Sequence, residues 1–127
     1  MDRILVWLSA AICAGIGLFV LAAPDRAAAS VEIVLGTPTA RIDFTATYGG
    51  MCVGIAAWLG FCGLRVEFLR SALFGVAAVF GGLALGRLVA IAGGAHPEPI
   101  MWAFLAIELS FAAAAAARLR AAAAGGV

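Results

Sequence analysis

Arg87 and Glu108 are each a lone charge inside an otherwise apolar stretch of the sequence. A charge at mid-helix in a bilayer costs about 2.5–3.5 kcal/mol on insertion scales, so each needs a compensating partner. Glu108 sits near the middle of the fourth apolar stretch, and Arg87 lies about one and a half turns from the end of the third. A short turn joins the two stretches, so they should lie side by side and antiparallel. Counted from that turn, Arg87 is roughly 8–9 Å deep and Glu108 roughly 14–15 Å deep, at 1.5 Å rise per residue. An arginine side chain spans that offset, which predicts a direct or water-bridged ion pair. A structural reading stands beside the functional one. Arg87 would then snorkel outward, Glu108 would sit protonated against a carbonyl or hydroxyl, or the two would only fix helix register.

A second group of polar residues precedes the core of the second apolar stretch: Arg41, Asp43, Thr45, Thr47 and Tyr48. Thr45 and Tyr48 are three residues apart and share a helix face. Gly49 and Gly50 follow, and two glycines let a helix or a ligand approach the backbone. The candidate binding residues are therefore Arg41, Asp43, Thr45, Tyr48, Gly49, Gly50, Arg87 and Glu108. Tyr48, Arg87 and Glu108 are expected to line one small outward-facing pocket. The plainer account makes Tyr48 an interface anchor and Arg41 with Asp43 a solvated helix start.

No catalytic residue is assigned. His96, the single histidine, lies in a loop between Ala95 and Pro97 with no second ligand nearby. Cys13, Cys52 and Cys62 fall in apolar stretches without paired spacing, which suits small packing residues better than a metal or redox site. The nucleophile, zinc and phosphate-loop patterns do not occur, so no metal is expected and no cofactor is indicated.

These residues require elements built for lipid. The chain has 127 residues, 65% of them hydrophobic and 12% charged, whereas soluble domains are nearer half apolar and a quarter charged. Its mean hydropathy is +1.14. The net charge of +1, with all eight basic residues arginine, offers no concentrated face for nucleic acid. Four stretches reach the roughly 20 apolar residues a transmembrane helix needs, at about 4–23, 44–64, 69–93 and 99–117. The expected fold is an all-α membrane protein: an antiparallel four-helix transmembrane bundle forming a single membrane domain over residues 1–127. The first stretch is too long for a signal-peptide core and is expected to be retained.

The connection over residues 24–43 is long for a structureless loop. Val31–Leu35 and Ala40–Phe44 are β-prone runs around Gly36-Thr37-Pro38-Thr39, which predicts a short β-hairpin in the first extracytoplasmic loop. Four spans put both termini on one side. Arg3, Arg65, Arg70, Arg118 and Arg120 fall there, against Arg26 and Arg41 opposite. The arginine bias predicts a multi-pass membrane protein with both termini cytoplasmic. Trp7, Trp58, Tyr48 and Trp102 sit where interfacial aromatics belong. Small residues at four-residue spacing (Ala11/Gly15, Gly50/Gly54, Ala78/Gly82/Gly86) offer close helix packing, within the chain or in a homo-oligomer.

The run Ala40-Arg41-Ile42-Asp43-Phe44-Thr45-Ala46-Thr47-Tyr48-Gly49-Gly50, with Gly86-Arg87, resembles a bacterial family catalogued as domain of unknown function four-three-four-five. The resemblance covers essentially the whole chain. Such proteins commonly carry an arginine shortly before Tyr-Gly-Gly, where Thr45 stands here. The resemblance implies a four-helix membrane fold, distantly similar to DoxX-like proteins, and no established activity.

The first functional expectation is a non-catalytic binder of a lipid- or quinone-like amphiphile, or of a membrane partner protein. The alternatives are a small proton-coupled exporter or channel subunit using Glu108, and an accessory subunit of a membrane redox enzyme.

Overall fold

The computed structural model describes residues 1–124. Every regular element among them is helical. Four helices are long and apolar enough to cross a bilayer: Asp2–Ala22, Pro38–Leu64, Val66–Ala92 and Pro99–Ala124. The protein is therefore a multi-pass, all-α membrane protein. Exposed Leu18, Phe19, Phe61, Phe74, Leu85, Val89 and Leu109 on these helices suit hydrocarbon as the surrounding solvent.

The first helix, α1 (Asp2–Ala22), stops where Pro24 removes a backbone donor. Ala23 leaves the helical region, and Pro24 opens the short α2 (Pro24–Ala29) from its first turn. The third, α3 (Pro38–Phe44), is capped by Thr37, whose hydroxyl accepts from the Ala40 N–H at 3.1 Å. It runs through a π-helical segment, Thr45–Gly50, into α4 (Met51–Leu64). A 3₁₀ turn over Val66–Phe68 leads into α5 (Leu69–Ala92). The last helix, α6, runs from Pro99 to Ala124.

The β-hairpin expected before α4 is not formed; no strand occurs among the described residues. Its first half is instead the C-terminal cap of α2. The Ile33 N–H reaches the Ala28 carbonyl and the Glu32 N–H reaches Ala29, with Glu32 left-handed at φ 60°. That is a Schellman closure with glutamate in the place glycine normally takes. Its second half is helical because Thr37-Pro38 is an N-cap followed by a first-turn proline. Those residue types mark turns and helix starts alike. The second long helix accordingly begins at Pro38 rather than near residue 44.

The chain divides into two compact units. The first spans Trp7–Phe61. Within it α1 meets the Gly49–Val53 region closely. A Cβ on Gly17 would stand 2.9 Å from both the Gly49 carbonyl oxygen and the Val53 nitrogen. Such an approach is open only to glycine. Val20, Ala27, Ala28 and Phe44 form a small core beside it, with Leu35 packed on its edge.

The second unit holds Met1–Val6 and the chain from Cys62 on. Its center is the pairing of α5 with α6. Ala72, Val76, Phe80 and Ala84 recur at helical spacing on the buried face of α5. The rings of Phe80 and Phe111 stack with centroids 4.9 Å apart. The turn between the helices closes on Gly94, at φ 97°, with Ala95 N–H on Ala90 and Gly94 N–H on Ile91. This repeats the α2 closure with the residue that suits it. At the other end Arg118 of α6 pairs with Asp2, so the start of α1 is tied to the end of α6.

Candidate functional site

The α5–α6 pairing brings Arg87 and Glu108 together. Arg87 Nε donates to both carboxylate oxygens, at 3.0 Å to Oε1 and 2.9 Å to Oε2. Arg87 Nη1 lies 3.2 Å from the Met101 sulfur, and the guanidinium carbon sits 5.3 Å from the centroid of the Phe104 ring. Met101, Phe104 and Glu108 are spaced by three and four residues, so α6 presents all three on one face. The Glu108 side chain is 7% exposed and that of Arg87 31%.

Side chains on a helix lean toward its N-terminus. Arg87 therefore leans away from the α5–α6 turn, while Glu108, on the antiparallel partner, leans toward it. Their depths differ by about 6 Å, counted at 1.5 Å per residue from the helix ends, and the two leans close that gap. Arg87 does not snorkel toward the near boundary; its charge is turned onto a carboxylate. The pair supplies mutual neutralization, a cation–π contact and a fixed guanidinium at membrane depth.

The Trp7–Phe61 unit carries the other candidates. Arg41, Thr45 and Gly50 line an open groove of about 450 Å³. Leu21, Pro24, Ile42 and Ala46 complete it, so its lining is almost wholly apolar. The Thr45 hydroxyl donates to the Arg41 carbonyl at 2.7 Å and is thereby spent on the backbone. Arg41 supplies the polar edge. Its Nη2 lies 2.9 Å from Asp25 Oδ2, with the two side chains 54% and 61% exposed. An ion pair that open is worth only about 0–1 kcal/mol, so Arg41 can exchange Asp25 for another acceptor at small cost.

The π-helical segment beside this groove has a local cause. Thr45 and Thr47 are β-branched, Gly49 and Gly50 are weak helix formers, and the Thr45 hydroxyl competes for the Arg41 carbonyl. The widened turn ends with the Met51 N–H on the Ala46 carbonyl, five residues back. Gly49 emerges as a packing residue: a Cβ there would meet Leu21 Cδ2 at 2.9 Å. Tyr48 is exposed, with its ring 4.9 Å from that of Phe44. Asp43 is exposed and does not line the groove.

Sequence reasoning missed Gly17, Asp25, Met101 and Phe104. No motif in the sequence marks Asp25, Met101 or Phe104. Helical spacing back from Glu108 would have found the last two. Gly17 was overlooked in favour of Gly15, Gly50, Gly54, Gly82 and Gly86, all of which have open space where a Cβ would stand.

No curated protein and no solved structure matches the chain. A family described as a domain of unknown function (DUF4345) matches residues 1–119. That span takes in both polar sites and all four long helices up to the last turn of α6, and on it the chain belongs to the DUF4345 family.

Proposed function

We propose that this membrane protein binds an amphiphile without chemically transforming it, and that the groove edged by Arg41 is where the ligand lies. The observation that carries this reading is the lining itself: apolar Leu21, Pro24, Ile42 and Ala46 beside one guanidinium held by a weak, exposed partner. An alkyl or isoprenoid chain would lie along the apolar residues. Its polar head would replace Asp25 on Arg41. Pockets for small molecules have this character: mostly apolar walls with few, fixed polar groups.

The exporter reading needs Glu108 as a carboxylate free to take and release protons. Both its oxygens are engaged by Arg87, which favours the binder. The Asp2–Arg118 tie supports both ends lying on one side of the membrane, and the arginine distribution supports that side being cytoplasmic.

The test is to fill the groove. Ala46→Trp should leave the helices intact, since Ala46 is exposed. Amphiphile co-purified per chain, quantified by mass spectrometry after extraction, should fall severalfold against wild type. Equal amounts from the two proteins would end the proposal.

A further inference from the structure

The Arg41 groove has a direction. Arg41 lies in the first turn of the span Pro38–Leu64, and Ala46 and Gly50 follow further along it. At 1.5 Å per residue the lining from Arg41 to Gly50 covers about 13 Å, from the end of the span toward its middle. The Arg41 side chain leans toward the helix N-terminus, away from that middle. Asp25, beyond the end of α1, is its acceptor there. A ligand fits this order with its polar head outermost and its chain running inward past Ala46.

Charge decides which head. Among the described residues Arg41 is the one charged group lining the groove, and the Thr45 hydroxyl is spent on the backbone. The acceptor Arg41 already holds is a carboxylate, Asp25 Oδ2 at 2.9 Å from Nη2. A neutral head in its place would leave the guanidinium without an opposite charge. A carboxylate replaces like with like. One that is not tied to a backbone can also turn both oxygens onto the guanidinium fork. Asp25, exposed in the pair, returns to water. The ligand's chain, buried along the lining, keeps its own head concentrated at Arg41.

Size decides how many chains. A groove of about 450 Å³ lies toward the small end of ligand sites, which suits one chain rather than the two of a phospholipid. Arg87 offers no comparable exchange, because its carboxylate partner Glu108 is nearly buried and would be stranded as a charge away from water.

We infer that the groove, taken as the ligand site proposed above, holds a single-chain amphiphile with an ionized carboxylate head, a long-chain fatty acid, and that Asp25 is the resident acceptor this head displaces from Arg41. Asp25 keeps the guanidinium neutralized while the groove is empty and competes with the ligand for it. A neutral quinone is then the wrong class of ligand for this site.

The experiment offers the full chain, in nanodiscs of dioleoyl phosphatidylcholine at alkaline pH, equimolar oleate, methyl oleate and dioleoyl phosphatidylglycerol. Retained ligand is counted by native mass spectrometry after gentle release. Wild type should retain oleate over methyl oleate by about fivefold, the upper worth of an exposed ion pair. Asp25→Asn removes the competing charge and should raise oleate retention about threefold, a gain that misfolding does not produce. Arg41→Gln should bring oleate down to the level of the ester. Equal retention of oleate and ester by wild type, with both lost in Ala46→Trp, would overturn the carboxylate head and leave the groove standing. Phosphatidylglycerol retained in preference to oleate would overturn it in favour of a phospholipid. Oleate retention unchanged by Asp25→Asn would show that Asp25 is not the acceptor displaced. Retention of every probe unchanged by Ala46→Trp would remove the groove itself, and the fatty acid with it.

Discussion

Arg87 lies nearer the α5–α6 turn than Glu108, and the two side chains close that offset from opposite directions, meeting through Nε and both carboxylate oxygens. The direction of lean belongs to the helices, not to the charges. Exchanging the charges should therefore preserve the contact.

Removing one partner of the pair strands the other at membrane depth. Arg87→Met or Glu108→Leu alone should cost about 2–4 kcal/mol, toward the lower side of measured losses for buried pairs because Arg87 is partly exposed. The combined change should cost much less than the sum. The charge exchange Arg87→Glu with Glu108→Arg should recover most of the loss. Thermal unfolding in detergent of all four proteins measures this; additive losses with no recovery would show that the pair contributes nothing.

Gly17 should be far less tolerant than the glycines singled out by motif. Gly17→Ala places a methyl 2.9 Å from backbone atoms of Gly49 and Val53, which cannot yield as a side-chain tip can. A loss of about 1–3 kcal/mol is expected. Gly15→Ala and Gly54→Ala enter open space and should be neutral or gain up to about 1 kcal/mol, since alanine is the better helix residue. The same unfolding assay ranks them, and equal sensitivity at Gly17 and Gly54 would contradict the close α1 approach.

The α2 closure offers a stabilizing change. Glu32 is held at φ 60°, a conformation that costs non-glycine residues of order 1 kcal/mol. Glu32→Gly should raise stability by about 0.5–1 kcal/mol. Thr37→Ala, which removes the α3 cap, should lower it by about 0.5–2 kcal/mol. If Glu32→Gly destabilizes instead, the left-handed cap is not the native conformation there.

Much of this architecture was legible in the residues. Length and apolarity alone mark four spans, because a bilayer demands both. The Arg87–Glu108 pair followed from the cost of buried charge together with a short turn. The loop over residues 24–43 was not legible, since Thr37-Pro38 signals a turn or a helix start and Val31–Leu35 suits a strand until Glu32 adopts a left-handed cap. The groove was half legible: Arg41, Thr45 and Gly50 stood out as polar or small. Leu21, Pro24, Ile42 and Ala46 look like any lipid-facing residues until the chain folds. Small-residue spacing does not single out Gly17, which packs within the chain, while Gly15, Gly50, Gly54, Gly82 and Gly86 have open space where a Cβ would stand.

The claim that a defined amphiphile occupies the Arg41 groove is tested most directly by photocrosslinking in native membranes. A benzophenone amino acid replaces Ile42 in the groove, and Phe74, exposed on α5, serves as the control. Illumination should yield one dominant adduct mass at position 42 and the spread of bulk lipid masses at position 74. The same bulk spread at both positions would contradict the account.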